Sequence, residues 1–147
     1  MLDRRQIHTV IDTLIREARI RSVSDIHITE GMHVWYRIHG CLTQARDVLK
    51  EYDIREVLLG MMNEKQRKQF EDGQDVDFAW QTTDGCRQRV NIFCEQKKIA
   101  ATIRLLNQHI PTLEELKIPT TLYQLSEEPR GIILVTGPTG SGKSTTL

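Results

Sequence analysis

The C-terminal stretch constrains the fold of this chain more than any other. Ile132, Ile133, Leu134 and Val135 run through Thr136 into Gly137-Pro138-Thr139-Gly140-Ser141-Gly142-Lys143-Ser144. This is the Gly-x-x-x-x-Gly-Lys-Ser/Thr spacing of a phosphate-binding loop. Such a loop joins a buried strand to a helix, so the apolar run predicts the central strand of a parallel sheet, and the residues from Gly142 onward predict a helix start. The chemistry requires these residue types. Glycine at Gly137, Gly140 and Gly142 frees the backbone to adopt positive φ and converge its N–H groups on an anion. Lys143 then reaches the β- and γ-phosphates as a point charge, the Ser144 hydroxyl coordinates Mg²⁺, and the helix start adds its positive dipole end. The expectation is an ATP and Mg²⁺ site built from Gly137, Pro138, Thr139, Gly140, Ser141, Gly142, Lys143, Ser144 and Thr145. A Gly/Ser linker is the bland alternative, and the strand-loop-helix context weighs against it.

Composition narrows the rest. A length of 147 residues suits one domain, or one domain and a piece of another, and 39% hydrophobic residues allow a modest core. Lys and Arg total 20 and Asp and Glu total 20, so no basic surplus drives nucleic-acid binding and none is expected. Cys41, Cys86 and Cys94 form no Cys-x-x-Cys pair and leave an odd one over, which suits reduced thiols. No run approaches the roughly eighteen apolar residues of a membrane span. Met1-Leu2-Asp3-Arg4-Arg5-Gln6 has no apolar run behind its charges. These readings place the chain in the cytoplasm.

Ile7, Val10, Ile11, Leu14, Ile15 and Ala18 recur at helical spacing, predicting an amphipathic helix over 3–20 capped by Asp3, with its mixed charges as a solvated face. Alternation predicts strands at 24–30 and 33–38, with His39-Gly40 as a two-residue hairpin turn into Cys41-Leu42-Thr43. His27 and His39 have no partner at metal-site spacing and read as structural. Asp53 caps a helix through Ile54, Val57, Leu58 and Met61. A second helix starts from Asn63 with Gln66 at the capping-box position and ends at Asp72-Gly73. Strands at 74–80 and 86–93 bracket an Asp84-Gly85 hairpin, and 98–106 supplies a further strand. The first part is thus α+β with mainly antiparallel strands. Ile110-Pro111 breaks the pattern, Thr112-Leu113-Glu114-Glu115 opens a short helical turn, and residues 119–126 suit another short helix.

Several segments together carry a family signature: Ser24-Asp25-Ile26-His27-Ile28, Tyr36-Arg37-Ile38-His39-Gly40, Asp75-Val76-Asp77-Phe78, Arg89-Val90-Asn91-Ile92-Phe93, Ile110-Pro111-Thr112-Leu113-Glu114-Glu115-Leu116 and Pro129-Arg130-Gly131, followed by the phosphate loop. Collinear over nearly the whole chain, they resemble the type IV pilus retraction ATPases of the PilT type within the secretion ATPase superfamily. The resemblance implies a PAS-like N-terminal domain, an antiparallel sheet with helices, over 1–106. An interdomain hinge over 107–118 follows, and then the first strand and phosphate loop of a RecA-like α/β ATPase domain over 119–147. It further implies a hexameric ring at the cytoplasmic base of the pilus, attached to the membrane only through partners such as the inner-membrane platform protein. Arg89 and Arg104 match N-terminal-domain arginines that face the nucleotide and stabilise charge on the transferred phosphoryl group; for each alone, a surface ion pair is the equal alternative.

The sequence departs from that pattern at His39, where the family has Asp, at Val23, and at Leu106-Asn107. The family's acidic box, its Walker B segment with the catalytic glutamate, and its histidine box are expected beyond residue 147, so the 147-residue polypeptide is expected to show no ATPase activity by itself. Pilus-assembly and type II secretion ATPases, and a non-catalytic interaction module, are the alternatives.

Overall fold

The structure is a computed structural model. It describes residues 2–45, 48–106, 112, 114–119, 121–138 and 142–143, and the chain divides into two units, Met1–Leu106 and Asn107–Leu147.

The first unit opens with α1 (Arg4–Ile20). Asp3 accepts from the Gln6 N–H while the Gln6 side chain accepts from the Asp3 N–H, a complete capping box. Ile7, Ile11, Leu14, Ile15 and Ala18 form its buried stripe. Two meanders follow in sequence: β1 (Val23–Thr29), β2 (Val34–Ile38) and β3 (Cys41–Ala45), and later β4 (Val76–Gln81), β5 (Arg87–Glu95) and β6 (Lys98–Leu105). Between them lie α2 (Ile54–Met61), capped by Asp53, and α3 (Glu64–Glu71), whose Asn63 and Gln66 form a second capping box. The β2–β3 connection is a two-residue turn with His39 and Gly40 at φ +47° and +82°, the primed geometry that matches strand twist. The β5–β6 turn has the same character at Gln96 and Lys97, φ +49° and +66°, with no glycine to announce it.

The six strands form one sheet in the order β3-β2-β1-β6-β5-β4, antiparallel at every pairing. The two meanders meet at β1 and β6, from Asp25 opposite Arg104 to Thr29 opposite Ala100. Alternation then sorts the residues. Ile26, Ile28, Val34, Tyr36, Val76, Trp80, Val90, Ile92, Ile99, Ala101 and Ile103 join one core with the buried faces of α1 and α2. Asp25, His27, Trp35, Arg37, Asp77, Arg89, Asn91, Thr102 and Arg104 occupy the opposite face. Gly60 on α2 lies against α1, where a Cβ would stand 2.0 Å from Ile7 Cδ1.

In the second unit Thr112 and Glu115 exchange capping-box hydrogen bonds at 2.8 and 3.3 Å. The Tyr123 hydroxyl donates to Glu114 Oε1 at 2.5 Å, tying that turn to α4 (Thr121–Ser126). Leu113 lies outside the described residues. The apolar run, expected as a covered parallel strand, departs from that expectation. Residues 131–137 form no regular element, and Ile132 and Leu134 are 87% and 80% exposed. A central strand exists through ladders to neighbours on both edges, and the described residues of this unit contain no strand to supply them.

Candidate functional site

The candidate site residues fall into two groups, one in each unit. In the second unit the described part of the loop is Gly137, Pro138, Gly142 and Lys143; Thr139, Gly140, Ser141, Ser144 and Thr145 lie outside the described residues. Gly142 has φ +88°, a conformation that a side chain would strain. Lys143 folds back across the loop, its Nζ donating to the carbonyls of Gly137 at 2.8 Å and Pro138 at 2.7 Å. Both partners are neutral dipoles, which orient the ammonium without cancelling its charge. The Mg²⁺ ligand expected at Ser144 falls among the residues not described.

In the first unit the arginines line a row across the helix-free face of the sheet. Register places Arg37 opposite Asp25, Asp25 opposite Arg104, and Arg104 opposite Arg89. Arg104 donates from Nε to Asp25 Oδ1 at 2.9 Å. Arg37 Nε stands 3.8 Å from Asp25 Oδ2 and its Nη1 donates to the Gly40 carbonyl at 3.1 Å. Arg89 binds Asp77 with two nitrogens, Nε at 3.0 Å and Nη2 at 2.7 Å.

The charges follow from these contacts. Burial pushes the Asp25 carboxyl up, yet hydrogen bonds from Arg104 and Ser24 and the Arg104 charge together outweigh it and hold the group below the usual aspartate value of 3.8. The Asp77 hydrogen bond and charge raise the already basic Arg89. His27, one residue pair along the face, is pushed below 6.5 by burial and by the Arg37 charge, against a counter-pull from Asp25. Its Nδ1 faces Thr102 Oγ1 at 3.4 Å, and its buried Nε2 has no hydrogen-bond partner.

Arg89 and Arg104, singled out separately in the sequence, are thus brought together as direct cross-strand partners. Sequence reasoning placed Asp25, Arg37 and Asp77 in motifs without seeing that they set the charge state of this row. The only signal was alternation, which puts Asp25 and Asp77 on the polar side of their strands. Among the described residues no cluster of three or more His, Cys, Asp or Glu side chains is arranged to hold a metal ion, and no helix is long and apolar enough to cross a membrane. Cys41, Cys86 and Cys94 are all free thiols.

Comparison with known proteins adds the family. A family model described as "Type II/IV secretion system protein" matches residues 1–147. The chain is 35% identical over 138 residues to the type IV pilus retractation ATPase PilT of Pseudomonas aeruginosa, covering 93% of this chain and 40% of that protein. It is 37% identical over 138 residues to a twitching motility protein of Neisseria gonorrhoeae, covering 92% of this chain and 36% of that protein. A crystal structure of the pilus retraction motor PilT with bound ADP matches 92% of this chain with a TM-score of 0.77 at 37% identity, and the match spans 40% of that chain. This chain therefore spans 36% to 40% of the length of these relatives.

Proposed function

This chain belongs to the Type II/IV secretion system protein family, and on that premise we propose that it is the N-terminal part of a motor ATPase that uses ATP hydrolysis to retract type IV pili. The division of labour we propose is a PAS-like domain over 1–106, a hinge over 107–118 and the start of a RecA-like ATPase domain over 119–147. The motor works as a hexameric ring on the cytoplasmic side of the membrane, reaching it through the pilus platform protein.

The single observation that carries this reading is the likeness, over 92% of the chain, to a pilus retraction motor crystallised with ADP. The site residues agree with it in chemistry. ATP, with Mg²⁺, supplies the transferable phosphoryl group. Lys143, already steered by the carbonyls of Gly137 and Pro138, holds its β- and γ-oxygens. Gly137 and Thr139 to Thr145 wrap the phosphates with main-chain N–H groups, Pro138 shapes the loop without donating, and Ser144 serves the metal. Arg89 and Arg104 offer positive charge where negative charge builds during transfer.

The test is made in piliated cells. Lys143→Ala in the motor is expected to abolish ATP-dependent pilus loss while leaving pili assembled, and unchanged retraction overturns the proposal. Loss of assembly or of protein secretion in that variant would instead assign the chain to the assembly or secretion branch.

A further inference from the structure

The two candidate arginines differ in how their carboxylates hold them. Arg89 gives two nitrogens to Asp77, at 3.0 and 2.7 Å, and both side chains are well exposed, 65% and 43%. Arg104 gives Asp25 its Nε at 2.9 Å, which leaves the two terminal nitrogens of the fork for another acceptor. Its side chain is 62% exposed above a carboxylate that is only 8% exposed. Asp25 is itself fixed on its other oxygen. Oδ2 accepts from the Ser24 hydroxyl at 2.9 Å and faces Arg37, which is anchored to the Gly40 carbonyl. A buried, twice-held carboxylate thus stands beneath an outward-facing guanidinium.

We infer that Asp25 is a positioning residue for Arg104: it grips Nε from below so that the terminal nitrogens of the fork are presented to an anionic phosphoryl oxygen. The inference rests on the proposed role of Arg104 in the motor and adds the group that aims it. Arg37 completes the device. When Arg104 turns part of its charge toward a phosphate, Asp25 still faces a second guanidinium and is not left as an uncompensated buried ion. Arg89 is held differently: Asp77 takes its Nε and one side of Nη2, so one edge of the fork is closed and an anion meets it through Nη1 and the remaining hydrogen of Nη2. Pre-orientation of this kind acts on the transition state more than on ground-state binding.

The experiment is steady-state ATPase kinetics on the assembled motor, comparing wild type with Asp25→Asn, Asp25→Glu, Arg104→Ala and the double variant Asp25→Asn/Arg104→Ala. Asp25→Asn is expected to lower kcat about tenfold while moving KM for ATP less than about twofold. Asp25→Glu is expected to recover part of the loss, and Asp25→Asn to have no further effect once Arg104 is alanine. An equal loss in the Arg104→Ala background, or a raised KM at unchanged kcat, overturns the inference. Unchanged kcat in Arg104→Ala removes the role of Arg104 and this inference together, whereas a slow Arg104→Ala beside a normal Asp25→Asn removes this inference alone. Should Asp25→Asn fail to assemble, Arg104→Lys decides: it keeps the charge over Asp25 and loses the fork, so kcat is expected to fall as in Arg104→Ala, and a wild-type kcat overturns the inference.

Discussion

Arg89 and Arg104 stand directly opposite each other in the β5–β6 ladder, two cations one strand spacing apart on the same face of the sheet. Like charges so placed destabilise a sheet unless they are neutralised locally, and here each has its own carboxylate, Asp77 for Arg89 and Asp25 for Arg104. Asp77→Asn is therefore expected to lower the urea midpoint at low ionic strength, with the difference shrinking as salt screens the exposed pair. Adding Arg89→Gln to that variant is expected to return the midpoint toward wild type. A loss that ignores salt would point to packing instead.

Asp12 ties the helical layer to the far hairpin of the sheet. It is 5% exposed, and its Oδ2 accepts from the Thr83 N–H at 2.8 Å, a contact across 71 positions in sequence. Asp12→Ala leaves that N–H short of its acceptor and is expected to destabilise the first unit by about 1–3 kcal/mol. Urea unfolding measures the loss. Hydrogen exchange at Thr83 is expected to accelerate in the variant, and an unchanged exchange rate would show that the amide finds another acceptor.

Two groups on the arginine face make stability fall with acid, in separate windows. His27 titrates below 6.5 in the folded chain because it is buried near Arg37. As pH falls through 6.5 the unfolded state takes up that proton first, so stability is lost. Asp25 is held below 3.8, so its contribution is intact above that value and is lost as pH falls through 3.8 toward the folded-state value. Unfolding free energies measured across pH should show the upper segment flatten in His27→Gln and the lower one in Asp25→Asn. An unaltered slope below 6.5 in His27→Gln would assign that segment to other groups.

Gly60 allows α1 and α2 to approach. In an exposed helix Gly→Ala is stabilising by about 1 kcal/mol, but here the new Cβ would stand 2.0 Å from Ile7 Cδ1 and 3.2 Å from Ile7 Cγ1, and Ile7 is 3% exposed. Overpacking of this kind costs about 1–3 kcal/mol, so Gly60→Ala is expected to lower stability, with Ile7→Val in the same chain returning part of the loss. Thermal unfolding of the two variants checks it. A gain in Gly60→Ala would mean that Ile7 swings aside freely.

Much of the fold was legible because it is written locally. Asp3, Asn63 and Thr112 cap their turns as side chain and backbone three residues apart, and His39-Gly40 makes its hairpin turn from two adjacent residues. The glycine-free turn at Gln96-Lys97 carries no local signal, because neither residue type marks a left-handed conformation. The apolar run at 132–135 and the phosphate-loop spacing behind it predict a strand, yet a parallel strand is a property of its neighbours as much as of its own residues.

The sequence by itself determined the local elements, the spacing of the phosphate loop and the identity of the charged residues. Which charge meets which was decided only in the tertiary structure. Asp25 and Arg104 are 79 positions apart, and their contact follows from β1 and β6 closing the two meanders at one register. A slip of one residue would turn Asp25 into the core and Ile26 out of it. Burial of Ile26, Ile28, Ile99 and Ile103 on the opposite face fixes that register, and with it the row of arginines.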